Sequence, residues 1–295
     1  MSAYVYDDNL FLLKKGKEVN KNIFFVHAAT GEAAAYMNFC ERLSDKFSCW
    51  GIKSSEFDCF GPKIFTVEQI AKKYVKKVLK VQEEGPYYIA GWCIGGTLAF
   101  QMTRELENLG EEVKFLGLIN SNFMKADTSR KFVDFSVQSE AEFLTDILPQ
   151  PLLRDLTSNI EACDDMWRAV IEISQQNDSE QKILKALKNS IPDGVKTTVP
   201  NFENTDIINL VKYINIMRSY VNSCMVFSPT YKLHTKLNFF KANEDTDWDA
   251  GIWNQYCEEA PIMNNLCGNN FNILEEPNVG FNSKVFNEVL DKSLR

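Results

Sequence analysis

The sequence predicts a doubly wound, mostly parallel α/β sheet that carries a large helical insertion. Short continuous apolar runs at 23–26, 87–90 and 115–119 read as strands buried on both faces of a parallel sheet. Helical patterns alternate with them: Val67, Ile70, Ala71, Tyr74, Val75 and Val78 repeat with a period near 3.6, and Leu98, Ala99, Met102 and Leu106 do the same. From about 125 to 230 helical patterns stand alone with no buried strand between them, as expected of a lid over the C-terminal edge of the sheet.

In chain order, residues 4–13 read as one or two short strands with polar breaks. The 23–26 strand ends in a loop of small residues, 27–31. Tyr36, Phe39, Cys40, Leu43 and Phe47 then suggest a helix, and 49–52 a short strand. Thr66 and Gln69 have the spacing of a capping box at a helix start. Gly110 is placed as the glycine just past a helix end. Within the insertion, helices are expected at 140–148, 166–174, 181–188 and 206–221. The sheet resumes at 237–241, with a weaker last strand at 261–267 and a closing helix at 281–294.

Composition narrows the function. A net charge of −8 argues against nucleic acid as a partner, and no apolar run approaches membrane-spanning length. The eight cysteines are scattered without a C-x-x-C pair or histidine-rich spacing, so they read as reduced thiols and not as metal ligands. With no basic-then-apolar leader at 1–8, a cytoplasmic location is expected. Lys72, Lys73, Lys76, Lys77 and Lys80 are most simply the solvated face of a helix, though they would also suit an acidic protein partner.

The chemistry concentrates at Gly91-Trp92-Cys93-Ile94-Gly95-Gly96, between the 87–90 strand and the following helix. This is the pattern of a nucleophile elbow, a strained turn that lifts one side chain above the sheet. The turn needs residues without Cβ, which Gly91, Gly95 and Gly96 supply. At the apex stands Cys93, where serine is usual.

These residues, with others in order along the chain, resemble the thioesterase domains and stand-alone thioesterases of nonribosomal peptide and polyketide synthesis. The likeness runs through Phe25-Val26-His27-Ala28-Ala29-x-Gly31, Gly51-Ile52, residues 66–74, Gly85-Pro86-Tyr87 and the elbow, Leu106-x-x-Leu109-Gly110, and the Gly268-Asn269-Asn270-Phe271 segment with Pro277 after it. It implies an α/β-hydrolase fold over residues 1–295, with the lid at about 125–230. It also implies a substrate held on the phosphopantetheine arm of an acyl or peptidyl carrier protein or a synthetase, with no cofactor of its own. The nucleophile of the family falls on Cys93, its acid on Asn120 and its base on Asn270. The oxyanion hole uses backbone N–H groups, which the resemblance places at Ala29 and Ile94. Ser-Asp-His has become Cys-Asn-Asn.

A thiol at a helix N-terminus attacks a thioester with less help than a hydroxyl needs. Water needs deprotonation as it attacks, and losing the histidine of a serine triad costs on the order of 10⁶ in rate. The residues therefore favour transfer of an acyl or aminoacyl group from the carrier to a thiol or an amine. A hydrolase with another base and a non-catalytic scaffold that binds a carrier or synthetase remain the alternatives. As a replacement base, His27 follows the first buried strand, by the family's analogy on the wrong loop, and reads more readily as structural than as catalytic; His234 precedes the 237–241 strand at the opposite edge and reads as a surface or satisfied histidine. Glu244, Asp245 and Asp247 lie at the right edge but have no imidazole to orient.

Overall fold

The computed structural model describes residues 4–7, 9–121, 132–176, 180–246 and 250–294. Strands β1 (Tyr4–Asp7), β2 (Leu10–Lys14), β3 (Asn22–Val26), β4 (Ser48–Ile52), β5 (Tyr87–Trp92), β6 (Val113–Ile119), β7 (Leu237–Ala242) and β8 (Ile262–Leu266) form an eight-stranded sheet in the order β1-β2-β4-β3-β5-β6-β7-β8. The pairings β1–β2 and β2–β4 are antiparallel, and from β4 to β8 every pairing is parallel.

Alternate residues of the central strands feed two cores. Phe24, Val26 and Ile89 meet Ile70 and Tyr74 of α2 (Val67–Val81) and Leu98 and Met102 of α3 (Ile94–Asn108). Ile23, Phe25, Tyr88 and Ala90 meet Phe39 of α1 (Met37–Glu41) and Phe286 and Leu290 of α10 (Val279–Lys292) on the other face. The Thr66 capping box forms at the start of α2, with Gln69 N–H on Thr66 Oγ1 at 3.2 Å and Thr66 N–H on Gln69 Oε1 at 2.9 Å. At the end of α3, Gly110 (φ +80°) donates to Glu107 O and Glu111 N–H returns to Leu106 O, a Schellman closure.

Helix α1 is shorter than the apolar period 36–47 suggested. Leu43 and Phe47 are buried as expected, but they reach the core from a turn in which Phe47 N–H bonds to Ser44 O at 3.3 Å.

Between β6 and β7 lie α4 (Val137–Leu144), α5 (Gln150–Asn159), α6 (Cys163–Gln176), α7 (Glu180–Ser190), α8 (Asp193–Lys196) and α9 (Ile207–Val226); residues 125–131 and 177–179 of the expected insertion fall outside the described residues. These helices have a core of their own, around Trp167, Leu187 and Val211. At its centre the buried Glu140 carboxylate accepts two bonds from Arg218 (2.6 and 2.8 Å) and one from Trp167 Nε1 (2.7 Å). Helix α9 spans both bodies: Leu210 and Ile214 join the insertion's core, while Ile216, Tyr220 and Cys224 join that of the sheet. The insertion is thereby tied to the sheet face that carries α2 and α3.

Candidate active site

Strand β5 ends at Trp92 and α3 begins at Ile94, so Cys93 alone makes the turn, at φ 55° and ψ −126°. A non-glycine residue at positive φ stores about 1–3 kcal/mol and persists only where its surroundings impose it. Here they do. Cys93 N–H donates to Ile119 O (3.0 Å) and Gly96 N–H to Cys93 O (3.1 Å). A Cβ on Gly91 would collide with Gly95 O, one on Gly95 with Val26 O and His27 O, and one on Gly96 with the Ser121 side chain. The three glycines thus let α3 start against β5, β3 and β6 at once.

Tyr36, which sequence reasoning gave only a packing role, locks the strand ends beneath the elbow. Its hydroxyl accepts from Trp92 N–H (2.7 Å) and donates to Val26 O (2.8 Å). Burial raises its pKa well above 10, so it stays a phenol throughout the physiological range. Cys93 is half-buried where the two cores meet. Cys224 of α9 is buried and its thiol is pushed up to about 12, first by burial and further by the neighbouring Cys93, which sets the insertion's last helix beside the elbow.

The loop after β3 runs alongside. Gly95 touches Val26 O and His27 O, so the segment leading to Ala29 lies against the start of α3, where Ile94 sits. Among the described residues neither the Ala29 nor the Ile94 amide N–H has an acceptor.

The structure brings Asn120 and Asn270 together and adds Asp245 to them. Asn120 follows β6 at φ 44°, a left-handed conformation that asparagine tolerates, and its N–H donates to Phe240 O at 2.7 Å. Its side chain is read unambiguously from its partners. Ala242 N–H donates to Asn120 Oδ1 (3.0 Å), so Nδ2 is the end that donates to Asp245 Oδ2 (2.6 Å) and Asn270 Oδ1 (3.3 Å). Asn270 Oδ1 also accepts from Trp92 Nε1 at 3.1 Å, and an indole only donates. The acceptor end of Asn270 is therefore committed. Neither amide can take up a proton near neutral pH.

The loops behind these residues are laced to each other. Glu244 N–H donates to Gly268 O and Gly268 N–H to Asn243 Oδ1, both at 3.0 Å, and Asn269 Nδ2 reaches Glu244 Oε2 at 3.1 Å. Gly268 adopts φ +91°, which glycine permits. Glu244 and Asp245 are thus more than solvated loop charges: Asp245 anchors Asn120, and Glu244 anchors the Asn270 loop. Asp247 lies outside the described residues.

The histidines lie where the sequence set them. His234 is exposed before β7 and pairs with Glu258 at 2.9 Å, which raises its pKa. His27 is fully buried, bonded to Ala28 O and Tyr74 OH at 2.6 Å each, and burial lowers its pKa to about 4. Of the lysines on α2, Lys73 pairs with Glu56 at 2.9 Å and Lys77 donates to Asn9 Oδ1 at 2.7 Å. A groove of about 530 Å³ lined by Met37, Glu41, Leu274 and Glu276 contains none of the site residues.

Comparison with known proteins places this geometry. A model of the thioesterase domain family matches residues 21–279. The chain is 34% identical to atromentin synthetase of Tapinella panuoides over 119 residues, 40% of this chain and 12% of that protein. Over 124 residues it is 32% identical to a non-reducing polyketide synthase of Aspergillus ustus, 42% of this chain and 6% of that one. The chain therefore spans a small part of these relatives' length. Among solved structures, the NocB thioesterase domain in covalent complex with a fluorophosphonate nocardicin G analogue superposes with a TM-score of 0.61 at 14% identity, over 97% of this chain and all of that one. The surfactin-cyclising thioesterase domain SrfTE gives 0.58 at 17% identity, over 96% of each chain. These likenesses establish the α/β-hydrolase fold, and the match of the family model over most of the chain shows that this protein belongs to the thioesterase domain family.

Proposed function

We propose that the protein is an acyl or aminoacyl transferase. Cys93 takes the group from a carrier-bound phosphopantetheine thioester and passes it to a thiol or an amine. One observation carries the reading: a nucleophile sits in a fully formed elbow while the residue at the base position, Asn270, has its acceptor oxygen committed to Trp92 and Asn120. Attack by the Cys93 thiolate on a thioester exchanges one thioester for another and needs no added proton acceptor. Activation of water would need one.

In this reading the Ala29 and Ile94 N–H groups receive the oxyanion, and the 125–230 insertion is a lid, with α9 beside the elbow. The names of the relatives, an atromentin synthetase and a non-reducing polyketide synthase, support a carrier-bound acyl substrate. A scaffold that binds a carrier without reacting is the second reading, favoured by the replacement of both proton-handling positions by amides.

The test is intact-protein mass after mixing with an acyl-pantetheine thioester. The wild type should gain the acyl mass in a lasting adduct, Cys93→Ala should gain none, and added thiol or amine should discharge the adduct faster than buffer alone. Rapid release of free acid without an adduct would establish hydrolysis; no adduct and no acid would leave the scaffold.

A further inference from the structure

We infer that His27 is a positioning residue for acyl transfer: its imidazole holds the Ala28–Ala29 peptide so that the Ala29 N–H faces the space over Cys93. The inference rests on the acyl-transfer reading above and concerns the atom that reading uses as an oxyanion donor.

The argument begins with the peptide plane. The carbonyl of Ala28 and the N–H of Ala29 belong to one rigid unit and point in opposite directions, so fixing one fixes the other. Ala28 O is held twice, by the His27 ring Nδ1 at 2.6 Å and by Gly31 N–H at 3.0 Å. The segment cannot slide along the chain either, because His27 N–H continues the β3–β4 ladder onto Ile52 O at 3.1 Å. A hydrogen bond received by the carbonyl also polarises the peptide and strengthens its N–H as a donor.

The neighbours of His27 decide which nitrogen carries the proton. Ala28 O can only accept, so Nδ1 bears the hydrogen and Nε2 is left to accept from Tyr74 OH at 2.6 Å. The direction then propagates. Tyr74 OH, having given its proton to His27, accepts from Tyr220 OH at 2.8 Å, and Tyr220 in turn accepts from Ser54 Oγ at 2.9 Å. Glu56 N–H closes the chain on Ser54 Oγ at 3.0 Å. His27, Tyr74, Tyr220 and Ser54 are all fully buried, and the His27 and Tyr220 rings meet edge to face at 4.6 Å. With Nδ1 protonated, no other arrangement of protons satisfies every member: Ala28 O fixes the tautomer, and the chain supplies the donor that Nε2 then needs. Tyr220 belongs to α9, which links the oxyanion loop to the insertion.

Two rates measured on Cys93 separate positioning from packing. Acylation by an acyl-pantetheine thioester develops charge on the carbonyl oxygen, whereas alkylation by iodoacetamide displaces iodide from carbon and develops no such oxyanion. His27→Phe keeps a ring against Tyr220 and removes both nitrogens. Loss of a single oxyanion donor costs about 10²–10³ in rate, so misdirecting one should slow acylation by at least ~10-fold, with alkylation unchanged. His27→Asn, which offers an amide N–H near the place of Nδ1, should recover part of the loss. Should His27→Phe fold poorly, Tyr74→Phe removes only the hydroxyl that donates to Nε2 and steadies the ring, and should slow acylation a few-fold in the same selective way.

Acylation and alkylation falling together, or acylation at the wild-type rate in both His27→Phe and Tyr74→Phe, would overturn the inference and leave the transfer reading standing. A wild type that forms no acyl adduct would overturn the two together.

Discussion

The two ends of the site handle different constraints. At the elbow the constraint is steric: Cys93 keeps a strained φ where the first turn of α3, the end of β3 and Ser121 leave no room for a side chain at Gly91, Gly95 and Gly96 in turn. At the other end the constraint is a count of donors and acceptors. Asn120 and Asn270 are held by Ala242, Asp245 and Trp92, every bond has one possible direction, and none of the amides can take a proton. In the proposed reading, nucleophile geometry and proton chemistry are therefore separable, with Cys93 set by the elbow and the positions proposed for acid and base held by amides.

The steric end should break hardest. Gly91→Ala puts a methyl carbon into Gly95 O, a backbone atom that cannot move without unwinding the first turn of α3. We expect a loss above ~4 kcal/mol, the range kept for clashes and broken cores, seen as a collapsed melting temperature or insoluble protein. A folded Gly91→Ala of wild-type stability would show that the elbow is looser than its contacts indicate.

Acid sharpens the comparison, because the amide end has no imidazole to charge and the elbow side does. His27 titrates near 4 in the fold against 6.5 when exposed. The folded pKa is the lower one, so the fold prefers the neutral ring. That stability is complete above about pH 6.5 and drains away as pH falls towards 4. The full interval corresponds to roughly 3 kcal/mol, at about 1.4 kcal/mol per unit. Tyr74 and Tyr220, the ring's hydroxyl neighbours, are raised by burial and stay protonated throughout, so they add nothing to this window. The measurement is the melting temperature of wild type and His27→Asn from pH 7.5 to 4.5: the two curves should converge towards acid, and parallel curves would assign the acid sensitivity elsewhere.

How much of this was legible in the sequence follows the same division. The elbow could be read because its glycines and Cys93 are neighbours in the chain, and a steric rule needs only local order. The sheet was legible for the same reason, since residues 23–26 and 87–90 carry their burial in continuous apolar runs. Helix α5 was not: Pro149 and Pro151 look like breakers, although the structure uses Pro151 in the first turn, where no N–H is required, with Leu153 and Leu156 facing the core. The roles of Asn120 and Asn270 came from resemblance alone. Asp245 carries no local signal, because its partner lies 125 residues away and is an asparagine, so nothing near it in the chain marks a shared site. Tyr36 and the tyrosines around His27 looked like core aromatics; only their hydroxyl partners show more.

The last prediction tries to convert the neutral end back to proton chemistry, and the structure changes how that must be done. Reinstating a family-like triad by Asn270→His with Asn120→Asp looks sufficient from the sequence. In the fold, Asn120→Asp would turn a carboxylate oxygen towards Asp245 Oδ2, where a donor now sits at 2.6 Å, and two carboxylates so close cannot both ionise. Adding Asp245→Asn resolves the conflict: the new amide at 245 would donate to the carboxylate at 120, where the Asp245 carboxylate now accepts, Ala242 N–H would keep its acceptor, and the new carboxylate would be free to orient the imidazole. With a base returned beside Cys93, loss of the acyl adduct to water, followed by intact mass, should speed up by about 10²-fold, the low end of general-base contributions. Asn270→His alone should gain about 10-fold or less, because the Asn120 side chain offers the imidazole a donor where a base needs an acceptor. Equal gains from the single and the triple change would mean that Asp245 already orients the ring through another path. No gain from a folded triple variant would mean that Asn270 does not lie over the acyl group, and the division between the two ends of the site would have to be redrawn.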